Sequence, residues 1–236
     1  MTSTAPDSRS ARAVLRTQRI ELPSWAFGNS GTRFKVFAQK GVPRTAYEKI
    51  DDAAQVNRYT GVAPTVALHI PWDKVDDYAD LARHAAEQGV ALGTINSNTF
   101  QDDDYMLGSV CHPDARVRRK AVDHLLECVD IMDKTGSRDL KLWFSDGTNY
   151  PGQDDIRARQ DRLAESLAQV YKRLGPNQRM VLEYKLFEPA FYHTDLADWG
   201  IAYMTAEAVR MQPANRLGRC SLLACRASTT VVTVDE

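Results

Sequence analysis

The apolar residues of this chain recur with two periods, and segments of the two kinds alternate. Val117, Ala121, Leu125, Cys128 and Met132 come at steps of three and four, the spacing that puts side chains on one face of an α-helix. Asp114 stands where it can cap that helix, and Gly136 where it can end it. Ile156, Leu163, Leu167, Val170 and Leu174 predict another helix, closed by Gly175. Thr45-Ala46-Tyr47-Glu48 has the capping-box pattern, so a helix should run to about Tyr59 before Gly61 stops it. Residues 75–88 read as helical ahead of Gly89, and 195 to about 211 have helical composition. Between these lie short apolar runs that predict strands at 34–37, 65–70 (halted by Pro71), 90–95, 139–144 and 180–187.

The order is β-α about five times over, which argues for a parallel sheet, either doubly wound or closed as a barrel. Residues 1–20 show neither period and read as a disordered N-terminal segment, leaving 21–200 as the α/β domain. Past about Met211 the helical period is lost and no sixth strand-helix unit is evident, so 201–236 reads as a divergent tail. On an eight-unit barrel this leaves an incomplete barrel of about five βα units. The polar stretch 96–113 is long for a connection, a property of functional or mobile loops.

Length and composition narrow the class. The 236 residues suffice for one α/β barrel, typically about 250 residues. A net charge of −1 gives no sign of a nucleic-acid partner or an anionic membrane surface. No apolar run approaches the roughly 20 residues that span a bilayer, and residues 1–19 lack the apolar core of a secretory signal. Cys111, Cys128, Cys220 and Cys225 have no framework spacing and no His near the last two, which argues against a zinc site and makes the cytoplasm the default location. The first βα turns carry neither G-x-G-x-x-G nor a P-loop, against a dinucleotide or nucleotide site.

The chemistry collects at strand ends. Glu183 and Lys185 lie two apart in the last predicted strand, so they share a face. Opposite charges on an apolar strand must be paired or bind something; a structural ion pair is the plain alternative. His69, Asn96 with Asn98, and Trp143 followed by Asp146 finish three other strands. His69 reads either as a satisfied polar residue or as a site residue, Trp143 as core or as a platform for a sugar's apolar face, and Asp146 as a turn-former. Glu183 suits a hard metal, and Lys185 can hold a substrate oxygen or a developing negative charge. One carboxylate cannot hold a divalent ion by itself.

Four stretches carry a resemblance. Residues 22–34 (LPSWAFGNSGTRF), 67–73 (ALHIPWD), 146–155 (DGTNYPGQDD) and 182–189 (LEYKLFEP) closely resemble bacterial L-rhamnose isomerases of the broad-specificity type, with similarity over about 15–200. The resemblance implies a (β/α)₈ TIM barrel related to xylose isomerase, interconversion of L-rhamnose and L-rhamnulose, two divalent ions per subunit, commonly Mn²⁺, and a homotetramer. It makes Glu183 a ligand of the structural metal, Lys185 the catalytic contact to the reacting oxygens, and His69 a second substrate contact. Trp25, Phe34 and Trp143 become sugar-facing walls, and Phe100 a wall of a neighbouring subunit's site. The family's second half supplies the remaining Asp and His ligands. Here the pattern drifts after about Trp199, as in a frameshifted reading, so the chain is expected to be an inactive fragment. Another sugar isomerase or a ketose 3-epimerase of the same superfamily, or a non-catalytic remnant, are the alternative readings.

Overall fold

The computed structural model describes residues 8–29, 31–32, 35–184, 192–211 and 222–225. Six parallel strands form one sheet: β1 (Glu21–Pro23), β2 (Thr65–His69), β3 (Ala91–Asn96), β4 (Asp139–Trp143), β5 (Arg179–Glu183) and β6 (Leu222–Cys225). Each strand pairs with the next one in the chain, and the order never reverses. A doubly wound sheet reverses its order at a switch point. One-way winding with helical crossovers is barrel winding, and this decides between the two folds left open by the alternation alone.

The helices are α1 (Ser8–Thr17), α2 (Ala46–Thr60), α3 (Tyr78–Glu87), α4 (Ala115–Thr135), α5 (Ile156–Tyr171) and α6 (Trp199–Arg210). Their starts follow local chemistry. Thr45 and Glu48 form the predicted capping box on α2, while Asp77, Asp114, Asp155 and Asp198 cap α3 to α6 by accepting backbone N–H bonds. Val66, Leu68, Ile95, Leu140, Leu142, Met180 and Leu182 pack outward against Leu81, Leu125, Met132, Leu163 and Leu167 of the helices, all of them buried. Among the described residues no helix is long and apolar enough to cross a membrane.

Three expectations are corrected. The first strand of the sheet is Glu21–Pro23, and Lys35–Val36 pairs instead with Gly31–Thr32 in a separate antiparallel ladder. A three-residue strand containing Glu and Pro has no apolar run to announce it; only its pairing with β2 defines it. Residues 8–17 form a helix where disorder was expected, with residues 11–17 exposed. The tail contributes a strand: β6 pairs with β5, so β5 is not an edge and the sheet has a sixth member.

The inner face of the sheet is polar. Asp139, Lys141 and Trp143 alternate with the buried Leu140 and Leu142 along β4, and Arg179 binds Asp139 through two bonds of 2.6 and 2.8 Å. Glu21 reaches across to β3, accepting from the Thr94 N–H at 2.9 Å and from its hydroxyl. Gly93 makes this possible, since a Cβ there would lie 1.7 Å from the Glu21 carboxylate. The β2–β3 register shifts beside it, from Val66↔Leu92 to Leu68↔Ile95, one residue extra on β3.

Candidate active site at the barrel mouth

Five aromatic rings converge where β2, β3 and β4 end. His69, the last residue of β2, is stacked on Trp72 with ring centroids 3.7 Å apart and planes 14° from parallel. Trp25 and Phe100 meet the His69 ring edge-on at 5.4 and 5.9 Å, and Phe100 in turn meets Trp143 at 4.7 Å. Trp25 and Trp72 keep 37% and 43% of their surfaces exposed, so the cluster is a wall open to solvent and not a closed core.

One carboxylate positions much of this wall. Asp73, itself buried, accepts the His69 backbone N–H at 2.8 Å and the Ser24 hydroxyl on one oxygen, and the Lys49 ammonium at 2.6 Å on the other. Ser24 precedes Trp25 in a short 3₁₀ turn, Ser24–Phe27. Asp73 therefore sets Trp25, His69 and Trp72 relative to one another, with Lys49 of α2 neutralising its charge. A second brace comes from the long loop after β3. Gln101 accepts from the Trp72 indole N–H at 2.9 Å and from the Asn98 side chain at 2.5 Å, and the Asn98 backbone N–H donates to His124 at 3.1 Å.

The His69 imidazole is neutral at ordinary pH. Burial pushes its pKa down to about 4, against the pull of Asp73. Its Nδ1 is buried with no hydrogen-bond partner. A buried polar nitrogen left unpaired costs about 1–3 kcal/mol; the buried hydroxyls of Ser97, Thr99 and Thr148 are unpaired in the same way.

Glu183 ends β5 at the same rim, opposite Trp143 in the strand register. Its carboxylate is 3.1 Å from the ammonium of Lys141, two residues before Trp143 on β4. Phe34 and Lys185 lie outside the described residues. The structure thus brings Trp25, His69, Phe100 and Trp143 together and adds Trp72 and Lys141, which the sequence reading did not single out. Phe100 packs in this wall against His69 and Trp143.

Asp146 does more than form a turn. It is buried and accepts the Ser109 N–H and hydroxyl at 2.7 Å each and the Cys111 N–H at 2.9 Å. Beside it Asp195 receives the Arg159 guanidinium at 2.8 and 3.0 Å and His193 at 3.0 Å. Gly108 has φ +108° there, and a Cβ would stand 2.8 Å from that guanidinium. Cys111, Asp146 and Asp195 form the one group of three potential metal ligands close to one another among the described residues. The carboxylates are already engaged by those N–H and O–H donors, and burial pushes the Cys111 thiol up, keeping it protonated. This is a knot that ties loops together. At the mouth, Glu183 is a single carboxylate facing an ammonium. The described residues therefore do not complete a divalent-cation site.

No protein-family model matches the chain. In sequence it is 39% identical over 206 residues to a probable sugar isomerase of Rhizobium meliloti (strain 1021), covering 85% of this chain and 48% of that protein. It is 40% identical over 201 residues to a probable sugar isomerase of Mesorhizobium japonicum, covering 83% and 46%. The chain thus spans about half the length of the curated relatives it matches. In structure it is similar to an L-ribulose 3-epimerase, with a TM-score of 0.60 at 16% identity over 88% of this chain and 60% of that one. The chain is similar in sequence to two probable sugar isomerases over about half their length, and its parallel α/β-barrel winding is similar to the fold of the L-ribulose 3-epimerase.

Proposed function

We propose that the barrel mouth binds a monosaccharide against its aromatic wall, and that the activity it serves is that of a sugar isomerase or ketose 3-epimerase. The observation that carries this is the neutral, unpaired His69 set among Trp25, Trp72, Phe100 and Trp143 at the C-terminal ends of parallel strands. Barrel enzymes build their sites at that end. Indole faces suit the C–H face of a sugar, and the unpaired His69 nitrogen suits one of its hydroxyls.

The two activities differ in the carbon that exchanges hydrogen. An isomerase moves it between C1 and C2, whereas a 3-epimerase removes it from C3 and returns it to the other face. The similarity to probable sugar isomerases favours the first reading, and the barrel fold accommodates both. Interconversion of L-rhamnose and L-rhamnulose is one candidate reaction within it; the motif resemblance supports it, and the comparisons do not single it out. Lys185 is proposed to hold the sugar's reacting oxygen, and Glu183 to offer one oxygen ligand to a divalent cation such as Mn²⁺. With a single ligand of that kind described, no chemical step is assigned to a cation.

Incubating the purified chain with L-rhamnose, other aldoses and L-ribulose in deuterated water, and following C1, C2 and C3 by NMR, tests the reading. The expected result is saturable sugar binding at the tryptophans with little or no turnover by this chain. Absence of binding by every sugar would overturn it. Exchange at C3 without exchange at C1 or C2 would favour the epimerase.

A further inference from the structure

We infer that His124 of α4 is a positioning residue for the aromatic wall: neutral, its Nε2 holds the loop that fixes Trp72 and Phe100, and a proton on that nitrogen releases the loop. The inference rests on the reading of that wall as the sugar site and adds a proton-sensitive control to it.

The contacts of the ring assign its tautomer. The Asn98 backbone N–H donates to Nε2 at 3.1 Å, and an N–H donates only to a ring nitrogen that carries no proton. The proton of the neutral ring therefore sits on Nδ1, which faces a Glu127 carboxylate oxygen at 3.2 Å. The other neighbour of Nε2 is the Cys128 sulfur at 3.9 Å, a thiol that burial pushes up and keeps protonated, and at best a weak acceptor. A proton added to Nε2 thus displaces the Asn98 N–H. The titratable groups around this pair come from three elements and one loop. Glu127, on the same helix, favours the charged ring, and Lys74, in the loop before α3, opposes it from 3.9 Å on the second Glu127 oxygen. Tyr78 of α3 lies near Glu127 and Cys128, and His69 of β2 near His124 itself, neutral above about pH 4.

Asn98 is the hub of the loop. Its side-chain oxygen accepts the Phe100 and Gln101 N–H groups at 3.4 and 3.2 Å. Its amide nitrogen donates to the Gln101 side-chain oxygen, which also takes the Trp72 indole N–H at 2.9 Å. Release of the Asn98 backbone therefore loosens two of the five rings, Trp72 through Gln101 and Phe100 directly. Lys74 stands two residues past Trp72, so the His124–Glu127 pair grips the loops after β2 and β3 at one point.

An NMR titration of the full chain from about pH 8 to about 5, the range in which imidazoles change charge, tests this without any sugar. At the upper end His124 should show the Nδ1–H tautomer. As it gains a proton, the Asn98 amide and the Trp72 indole N–H should shift with the same midpoint. An Nε2–H tautomer, a ring that stays neutral throughout, or Asn98 and Trp72 signals that ignore its titration would each overturn the inference. With L-rhamnose or a ketose added, affinity should fall about fivefold over the same range, the worth of one neutral hydrogen bond. His124→Gln keeps an acceptor that cannot titrate and should flatten that profile; a wild-type slope in the variant overturns the inference equally. A chain that binds no sugar at any pH loses the proposed function, and the sugar-free titration still decides the role of His124.

Discussion

Two polar regions of this molecule, a fully buried knot and a mouth whose wall opens to solvent, differ in how their polar groups are satisfied. In the knot of Asp146, Arg159 and Asp195, each buried charge is held by hydrogen bonds from backbone, hydroxyl or guanidinium groups. At the mouth, the His69 imidazole has an unpaired Nδ1, and rings surround it in place of donors and acceptors. Buried polar groups are nearly always satisfied. Complete satisfaction identifies the knot as structure, although its acidic composition resembles a metal centre. The unsatisfied histidine, set in that ring of aromatics, is what supports the mouth as the proposed ligand site.

The largest effect should come from breaking the knot. Arg159→Met would leave Asp195 without its guanidinium partner while Asp154 keeps Arg162, and loss of one partner of a buried pair costs about 3–5 kcal/mol. Denaturant unfolding should show that loss, while the surviving folded fraction keeps its affinity for sugar. A sugar affinity that fell with the stability would blur the contrast between the regions.

Next comes pH. The folded pKa of His69, about 4, lies below its ordinary value of 6.5. Between those values the unfolded chain binds more protons than the folded one, so stability falls as the pH drops from about 6.5 toward 4 and levels off below. His69→Phe should flatten that part of the stability profile by a few kcal/mol. Equal slopes in the two proteins would place the imidazole in water.

The smallest effect sharpens the mouth itself. Trp72→Ala removes the ring stacked on His69 from a half-exposed position, so sugar affinity should fall about tenfold, about 1.4 kcal/mol, with little change in the unfolding midpoint. Quenching of the remaining tryptophans by sugar reads the first quantity and thermal unfolding the second.

The same contrast explains what the chain discloses in advance. Helix starts are legible because a cap is local: Thr45 with Glu48, and Asp114, act on N–H groups two or three residues away. His69 and Trp143 are legible because they close apolar runs. Trp72 is hidden behind Pro71, which reads only as the end of a strand. Lys141 was within reach, since the period of two that joins Glu183 to Lys185 also joins Lys141 to Trp143; what hid it was the neighbouring strand, which no local pattern specifies. The Arg159–Asp195 pair spans 36 positions and β1 is three residues long, so each is set by tertiary pairing alone.

The most direct test of the mouth as a sugar site is the ¹⁵N NMR spectrum of His69, assigned by comparison with His69→Phe. The account predicts a neutral ring that titrates near pH 4, and ring-nitrogen resonances that shift saturably when L-rhamnose or a ketose is added. A ring that titrates near 6.5 and ignores every sugar would contradict it.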